Sequence, residues 1–130
     1  MRPTLRAVFL ALTLGFGMQA MAGPLEEGAA AHNRGDYATA LSWYRRAAEQ
    51  GNVGAEFILG VMYSKGQGVP QDYVLAHKWL NLAASRFPAS EKEERDIAVK
   101  LRDQIASKMT AAQIDEAEKL TRDWQPKPER

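Results

Sequence analysis

The chain has 130 residues, of which 45% are hydrophobic and 25% charged, and it contains no cysteine. This length accommodates one domain and excludes a barrel enzyme or a two-domain dinucleotide enzyme. The 17 basic and 16 acidic side chains nearly balance, without the basic clustering typical of nucleic-acid binding. The lack of cysteine excludes a disulfide scaffold, cysteine-ligated zinc and a thiol nucleophile.

Residues 1–22 have the pattern of a cleaved secretory signal peptide. Arg2 and Arg6 form a basic start, an apolar stretch covers 7–18, and Ala20-Met21-Ala22 resembles a cleavage site. The apolar stretch is shorter than the roughly 20 residues that a membrane span needs. We therefore expect cleavage before Gly23, no stable membrane anchor afterwards, and a periplasmic or secreted protein with a net charge of −1.

An internal repeat follows. A shift of 36 residues aligns 36–51 with 72–87, and six of the sixteen aligned positions are identical. The identical pairs are Asp36 and Asp72, Tyr37 and Tyr73, Ala40 and Ala76, Trp43 and Trp79, Ala47 and Ala83, and Ala48 and Ala84. Because these positions recur at helical spacing, they predict repeated helices rather than strands.

The apolar spacing predicts six helices and no strand. In chain order they cover 25–33, 37–50, 53–64, a segment capped by Asp72, 90–108 and 111–124. Asn52 is predicted to cap the third helix, and capping boxes are predicted at Ser90 and Thr110. The fifth helix is predicted to bury Ile97, Leu101, Ile105 and Met109, and the sixth to bury Ile114, Ala117, Leu120 and Trp124.

The middle of the chain resembles the Sel1-like repeat family, a relative of the tetratricopeptide repeats. One complete repeat is carried by Ala55, Leu59-Gly60, Met62-Tyr63, Gly66, Gly68-Val69, Asp72-Tyr73, Ala76, Trp79 and Ala83-Ala84. Residues 35–51 look like the second half of a preceding repeat. The resemblance covers about 28–87 and implies an all-α protein, a short α/α superhelical solenoid with a C-terminal helical cap. The expected domain is 23–124, with the cap at about 90–124 and a disordered tail at 125–130.

The resemblance also implies a function. Family members of this kind act as interaction scaffolds, so we expect a monomeric, non-enzymatic adaptor that binds a protein and regulates or assembles an envelope or secreted complex. Two alternatives stay open at this point. One is a hydrolase acting on the cell wall, or a protein binding wall fragments. The other is a stability subunit whose concave face is occluded by helix 90–108.

No residue pattern predicts a cofactor or metal site. His32 and His77 are the only histidines, and His77 has no second ligand at helical spacing, which predicts a histidine on a helix surface. The acidic clusters at 91–96 and 115–118 lie at predicted helix starts, where negative charge complements the helix dipole. The glycines at 66–68 lack the strand and lysine-serine pair of a phosphate loop and predict a turn.

Positions that differ between the two copies are the candidates for partner contact. Tyr44, Arg45 and Arg46 align with Leu80, Asn81 and Leu82, so the repeat pattern does not require them. His77, at its predicted surface position, completes the candidate set.

Overall fold

The computed structural model describes residues 23–128, which form six α-helices and, within that range, no strand. The helices are α1 (Pro24–Asn33), α2 (Tyr37–Glu49), α3 (Val53–Lys65), α4 (Tyr73–Arg86), α5 (Lys92–Ala106) and α6 (Ala111–Asp123). The predicted all-α solenoid is confirmed. The predicted signal peptide lies outside the described residues. None of the six helices is long and apolar enough to cross a membrane.

Side-chain caps set where four of the helices begin. The side-chain oxygens of Asp36, Asn52 and Asp72 each accept a backbone N–H bond from three residues further on, at 3.3, 2.9 and 3.0 Å. Thr110 and Gln113 form a reciprocal capping box at the start of α6. Each such cap stabilises a helix by about 1 kcal/mol. The predicted caps at Asn52, Asp72 and Thr110 are therefore confirmed.

The capping box predicted at Ser90 is wrong. A 3₁₀ turn over Ala89–Glu91 precedes α5, and the Glu91 amide donates to the Pro88 carbonyl at 2.8 Å. No side chain caps the first turn of α5. Because Pro88 fixes its own φ and leads directly into this tight turn, the residues that a capping box needs are already used.

Each of the first two helix pairs brings a glycine against a large side chain. A methyl group added to Gly60 of α3 would lie 2.7 Å from Cγ of Leu80 in α4. The same addition to Gly28 of α1 would lie 2.8 Å from two ring carbons of Tyr44 in α2. Both distances are shorter than two carbon atoms tolerate. The two helices of each pair therefore approach more closely than alanine would allow.

The first repeat is complete, which corrects the prediction that only its second half is present. Helix α1 pairs with α2 as α3 pairs with α4, and Gly28 takes the place of Gly60. The turn between α1 and α2 covers 34–36, whereas the turn between α3 and α4 covers 66–72. Because the second turn is four residues longer, a single shift of 36 aligns α2 with α4 but fails to align α1 with α3.

The longer turn ties the second repeat to the first. Gly68 has a φ of +72°, and a methyl group added to it would lie 2.5 Å from the carbonyl carbon of Tyr37. Only glycine adopts this φ without strain and also leaves room for the neighbouring backbone. The turn at 66–72 therefore packs against the first helical turn of α2.

The last two helices, α5 and α6, both pack against α4. Ala98 of α5 lies against Ala83 and Ala84, and Ile105 joins the main core. Helix α6 contributes one fully buried residue, Ala117. These helices form the cap that the sequence predicts.

The predicted apolar face of α5 is partly wrong. Ile97 is 51% exposed, and Ala98 is buried in its place. Residues spaced by four drift around a helix by about 40° at each step, because one turn takes 3.6 residues. Ile97 and Ile105 therefore lie about 80° apart around the helix. Met109 lies beyond the last residue of α5, and the face against α4 follows Ala98 and Ile105.

The C-terminal segment returns to the first repeat. Trp124 meets Trp79 edge to face with the ring centroids 6.0 Å apart. The Lys127 amide then donates to the Glu49 carbonyl at the end of α2, at 2.7 Å. Within 125–128 the chain therefore packs against the repeats, in contrast to the disordered tail predicted from the sequence.

One carboxylate is fully buried in the core. Glu56 of α3 has no exposed surface, and Arg86 of α4 places Nε 3.0 Å from its Oε1. Arg86 also donates to the Gly51 carbonyl and lies 5.0 Å over the Trp124 ring. Burial raises the pKa of Glu56 to about 7, against the opposing effect of Arg86. This ion pair joins both repeats to the C-terminal segment.

The glycine contacts predict a contrast between substitutions. Gly28→Ala and Gly60→Ala should each lower the free energy of unfolding by about 1–3 kcal/mol, because the new methyl groups overlap packed neighbours. The matched control is Gly54→Ala in α3, where an added methyl meets only the Asn52 oxygen, at 3.4 Å. It should raise stability by up to about 1 kcal/mol. Urea denaturation followed by circular dichroism measures all three. If Gly28→Ala were as stable as the control, α1 would not pack against α2 as closely as α3 packs against α4.

Glu56 predicts an unusual pH dependence. Its folded pKa of about 7 lies above the ordinary 4.5, so its contribution to stability is fully present below pH 4.5 and is lost as the pH rises to 7. The loss amounts to up to about 3 kcal/mol, since one pKa unit corresponds to about 1.4 kcal/mol. Glu56→Gln should remove this contribution. The variant should therefore become more stable relative to wild type as the pH rises from 4.5 to 7. Glu116→Gln, at an exposed glutamate of α6, is the control. Parallel pH profiles for wild type and Glu56→Gln would contradict the prediction.

Candidate interaction groove

An apolar groove lies between the first repeat and the outer side of α3. Its volume is about 370 Å³. The lining residues are His32, Tyr44, Phe57, Ile58, Val61, Met62, Lys65 and Gln67. Met62 and Tyr44 are buried and form the floor, whereas Ile58 and Val61 are half-buried and form a wall. The groove therefore presents aliphatic and aromatic surface to solvent.

The ionisable side chains at the rim are basic or neutral. Lys65 is the last residue of α3, and His32 lies in the last turn of α1 with its ring 5.1 Å from that of Tyr37. No carboxylate lines the groove. Such a surface offers apolar contact along its wall and positive charge at one end, which suits a peptide segment better than a reacting small molecule.

Tyr44, the first of the four candidate contact residues, lies in the core. It is 3% exposed, and its ring fills the space beside Gly28. Leu80 fills the equivalent space beside Gly60 in the second repeat. The two positions differ in residue type but share one packing role, so the difference between the copies does not indicate an exposed contact. Tyr44 contributes to the groove floor with only 3% of its surface exposed.

Arg45 and Arg46 are exposed on α2, as the sequence suggests. Arg45 donates from Nη2 to the Tyr63 hydroxyl at 2.7 Å, which attaches it to α3. The Arg46 guanidinium carbon lies 5.7 Å from the Trp43 ring centre. Neither arginine lines the groove.

His77 is buried, which corrects the predicted surface position. It is 4% exposed, and α5 and α6 cover it. Burial is the main cause that lowers its pKa; Arg102 lowers it further, while Glu118 and Asp103 oppose the shift. A histidine beneath two helices is not available for partner contact while those helices are in place. The four candidates therefore do not form one site.

Sequence reasoning missed Phe57, Ile58 and Val61. They lie on α3 but outside the buried set of Ala55, Leu59 and Met62. The signal that could have found them is that α3 is apolar around its whole circumference. A helix of that kind is either buried on all sides or presents an apolar surface to something else. Among residues 23–128 no group of histidine and acidic side chains is placed to hold a metal ion.

Comparisons with known proteins agree with this geometry. The Sel1 repeat family model matches residues 18–52 and 53–86, which together span more than half of the chain. The first match begins inside the segment that the sequence predicts to be a signal peptide, and the second covers α3 and α4. Two matched repeats agree with the complete first helix pair in the structure.

One solved structure supports the same assignment. The chain is similar to the crystal structure of a protective antigen present in uropathogenic Escherichia coli strains, which displays an SLR fold. The sequences are 34% identical, with a TM-score of 0.58, over 75% of this chain and 21% of the antigen. This chain thus spans about a fifth of that protein's length. Sel1 repeats generally mediate contacts between proteins and are typically not enzymatic. The chain belongs to the Sel1 repeat family.

Proposed function

We propose that this protein is an exported adaptor that binds one protein partner in the groove formed by α1, α2 and α3. The observation that carries the proposal is the half-exposed apolar wall of Ile58 and Val61. Covering such a surface is favourable in water, by roughly 25 cal/mol for each Å² of apolar area buried. An apolar ridge of a partner helix fits a groove of this kind.

The charge at the groove constrains the chemistry of the partner segment. Lys65 is exposed at the end of α3, at the rim. A carboxylate on the partner, next to its apolar ridge, would meet this positive charge and fix the direction in which the segment binds. The partner segment we propose is therefore an amphipathic helix with an acidic residue near one end.

Export is the second part of the proposal. It rests on the sequence pattern of residues 1–22, with their basic start, apolar stretch and small residues before Gly23. Mass spectrometry of the protein in the periplasmic and extracellular fractions tests it, because the exported form should begin at Gly23. A role in regulating or assembling an envelope or secreted complex follows if the partner resides in the same fraction.

We propose no catalytic role, and we propose that the adaptor is a monomer. The groove is lined by apolar, neutral polar and basic residues and has no carboxylate beside the histidine, so general acid-base chemistry has no pair to use there. Sedimentation of the isolated protein tests the monomer. No observation favours wall hydrolysis over protein binding.

The groove predicts a specific effect of charge insertion. Crosslinked co-purification identifies the partner, and the affinity of that purified partner is then measured by calorimetry. Ile58→Glu should weaken binding at least about tenfold, because it places a carboxylate in the apolar wall of the interface. The matched control is Ile97→Glu, at the exposed isoleucine of α5 outside the groove, and it should change the affinity by less than about twofold.

Two further variants distinguish binding in the groove from binding on the exposed side of α2. Lys65→Glu should weaken binding if a partner carboxylate meets Lys65. Arg45→Ala with Arg46→Ala alters the exposed side of α2 and should leave binding intact. If this double variant abolished binding and Ile58→Glu did not, the partner would bind α2 instead, and the groove proposal would be wrong.

A further inference from the structure

His77 lies where three helices meet. It belongs to α4, while Arg102 and Asp103 of α5 and Glu118 of α6 are the charged groups that act on it. Its side chain is 4% exposed, and Nδ1 has no hydrogen-bond partner among residues 23–128. A buried ring nitrogen without a partner already costs free energy when the ring is neutral, and a second proton on the ring would add a buried charge, which costs more.

The helices that cover His77 contribute few buried residues of their own. Helix α4 buries seven residues, whereas α5 buries Ala98 and Ile105 and α6 buries Ala117, and Leu101, Met109 and Trp124 pack against the core while partly buried. Segments with few buried apolar contacts open with a small free energy, well below that of global unfolding. The cover can therefore separate from α4 while the two repeats remain folded.

We propose that α5 and α6 are a pH-controlled cover of α4, closed while His77 is neutral and released when His77 is protonated. Opening exposes the side of α4 that carries Trp79 and Leu82, a surface separate from the groove. The inference does not depend on the groove binding a partner.

The direction of the effect follows from linkage. The pKa of His77 is lowered in the closed state, and its ordinary value of 6.5 is restored when the cover opens. The open form therefore binds the proton more tightly, so the closed form loses stability as the pH falls below 6.5. Arg102 next to His77 strengthens this trend, whereas Glu118 and Asp103 weaken it.

A second buried group responds in the opposite direction. Protonation of Glu56 stabilises the folded repeats on acidification, since its pKa is raised to about 7. The two effects act on different parts of the molecule, because Glu56 lies between α3 and α4 and His77 lies under α5 and α6. Mild acid should thus strengthen the repeats while it loosens the cover.

Hydrogen exchange measured by mass spectrometry on the protein isolated from its producing cells tests the inference. Between about pH 7.5 and about pH 5, after correction for intrinsic exchange, the opening constant of α5 and α6 should rise by up to about tenfold per pH unit below 6.5. Amides of α2 and α3 should keep their protection. The fluorescence of Trp79 and Trp124 should change over the same range as their edge-to-face contact is lost.

Substitutions at the two histidines provide the control. His77→Gln and His77→Leu are uncharged at every pH, and each should remove the acid-induced opening. His32→Gln alters the other, partly exposed histidine and should behave as wild type. Glu56→Gln should keep the opening and lose only the added stability of the repeats.

A measurement on the unaltered protein keeps the inference falsifiable if neither His77 variant folds. In NMR spectra the ring protons of His77 should titrate below pH 6.5, together with the loss of α6 protection. Titration of His77 without any change in α5 and α6 would overturn the proposal. So would acid-induced opening that persists in His77→Gln or His77→Leu.

Discussion

The close approach of the paired helices at Gly28 and Gly60 is the constraint on which the rest of the structure depends. Since neither glycine carries a side chain, the Tyr44 ring and the Leu80 side chain occupy the space between the helices. The two helices of each pair therefore bury their small residues against each other. In the second pair, the opposite side of α3 faces outward. The groove of Ile58 and Val61 exists because the seam at Gly60 fixes which side of α3 is used inside.

Local patterns were sufficient to predict the helices and three of their caps, because Asn52, Asp72 and Thr110 each bond to the first turn of their own helix. The site was less predictable, because exposure is a property of whatever lies opposite. Tyr44 differs from Leu80 yet plays the same part, and His77 has a polar side chain yet lies under two helices. The groove consists of surface that no other segment within residues 23–128 covers, and a sequence pattern alone does not say where such surface remains.

Buried charge is distributed asymmetrically along this short solenoid. Glu56 is compensated by Arg86, and the pair connects α3, α4 and the Gly51 turn through 3.0 Å contacts. His77 has no such counterpart at Nδ1. Removing one member of a buried ion pair costs more than the pair contributes to stability, so Glu56 and Arg86 constrain each other's replacement. Helix α4 therefore carries a paired buried charge on the side facing α3 and an unpaired buried ring nitrogen on the side under the cap.

The hydrogen bond from Lys127 to Glu49 bears on how this protein can change in length. Solenoid repeats usually contact only their neighbours, so units can be inserted or lost without affecting distant ones. Here the segment after the cap reaches past the second repeat to the end of α2, while Trp124 still rests on Trp79. An additional repeat between the two would carry Glu49 away from Lys127. The C-terminal segment therefore acts as a molecular ruler that matches an array of two repeats and opposes its growth by duplication.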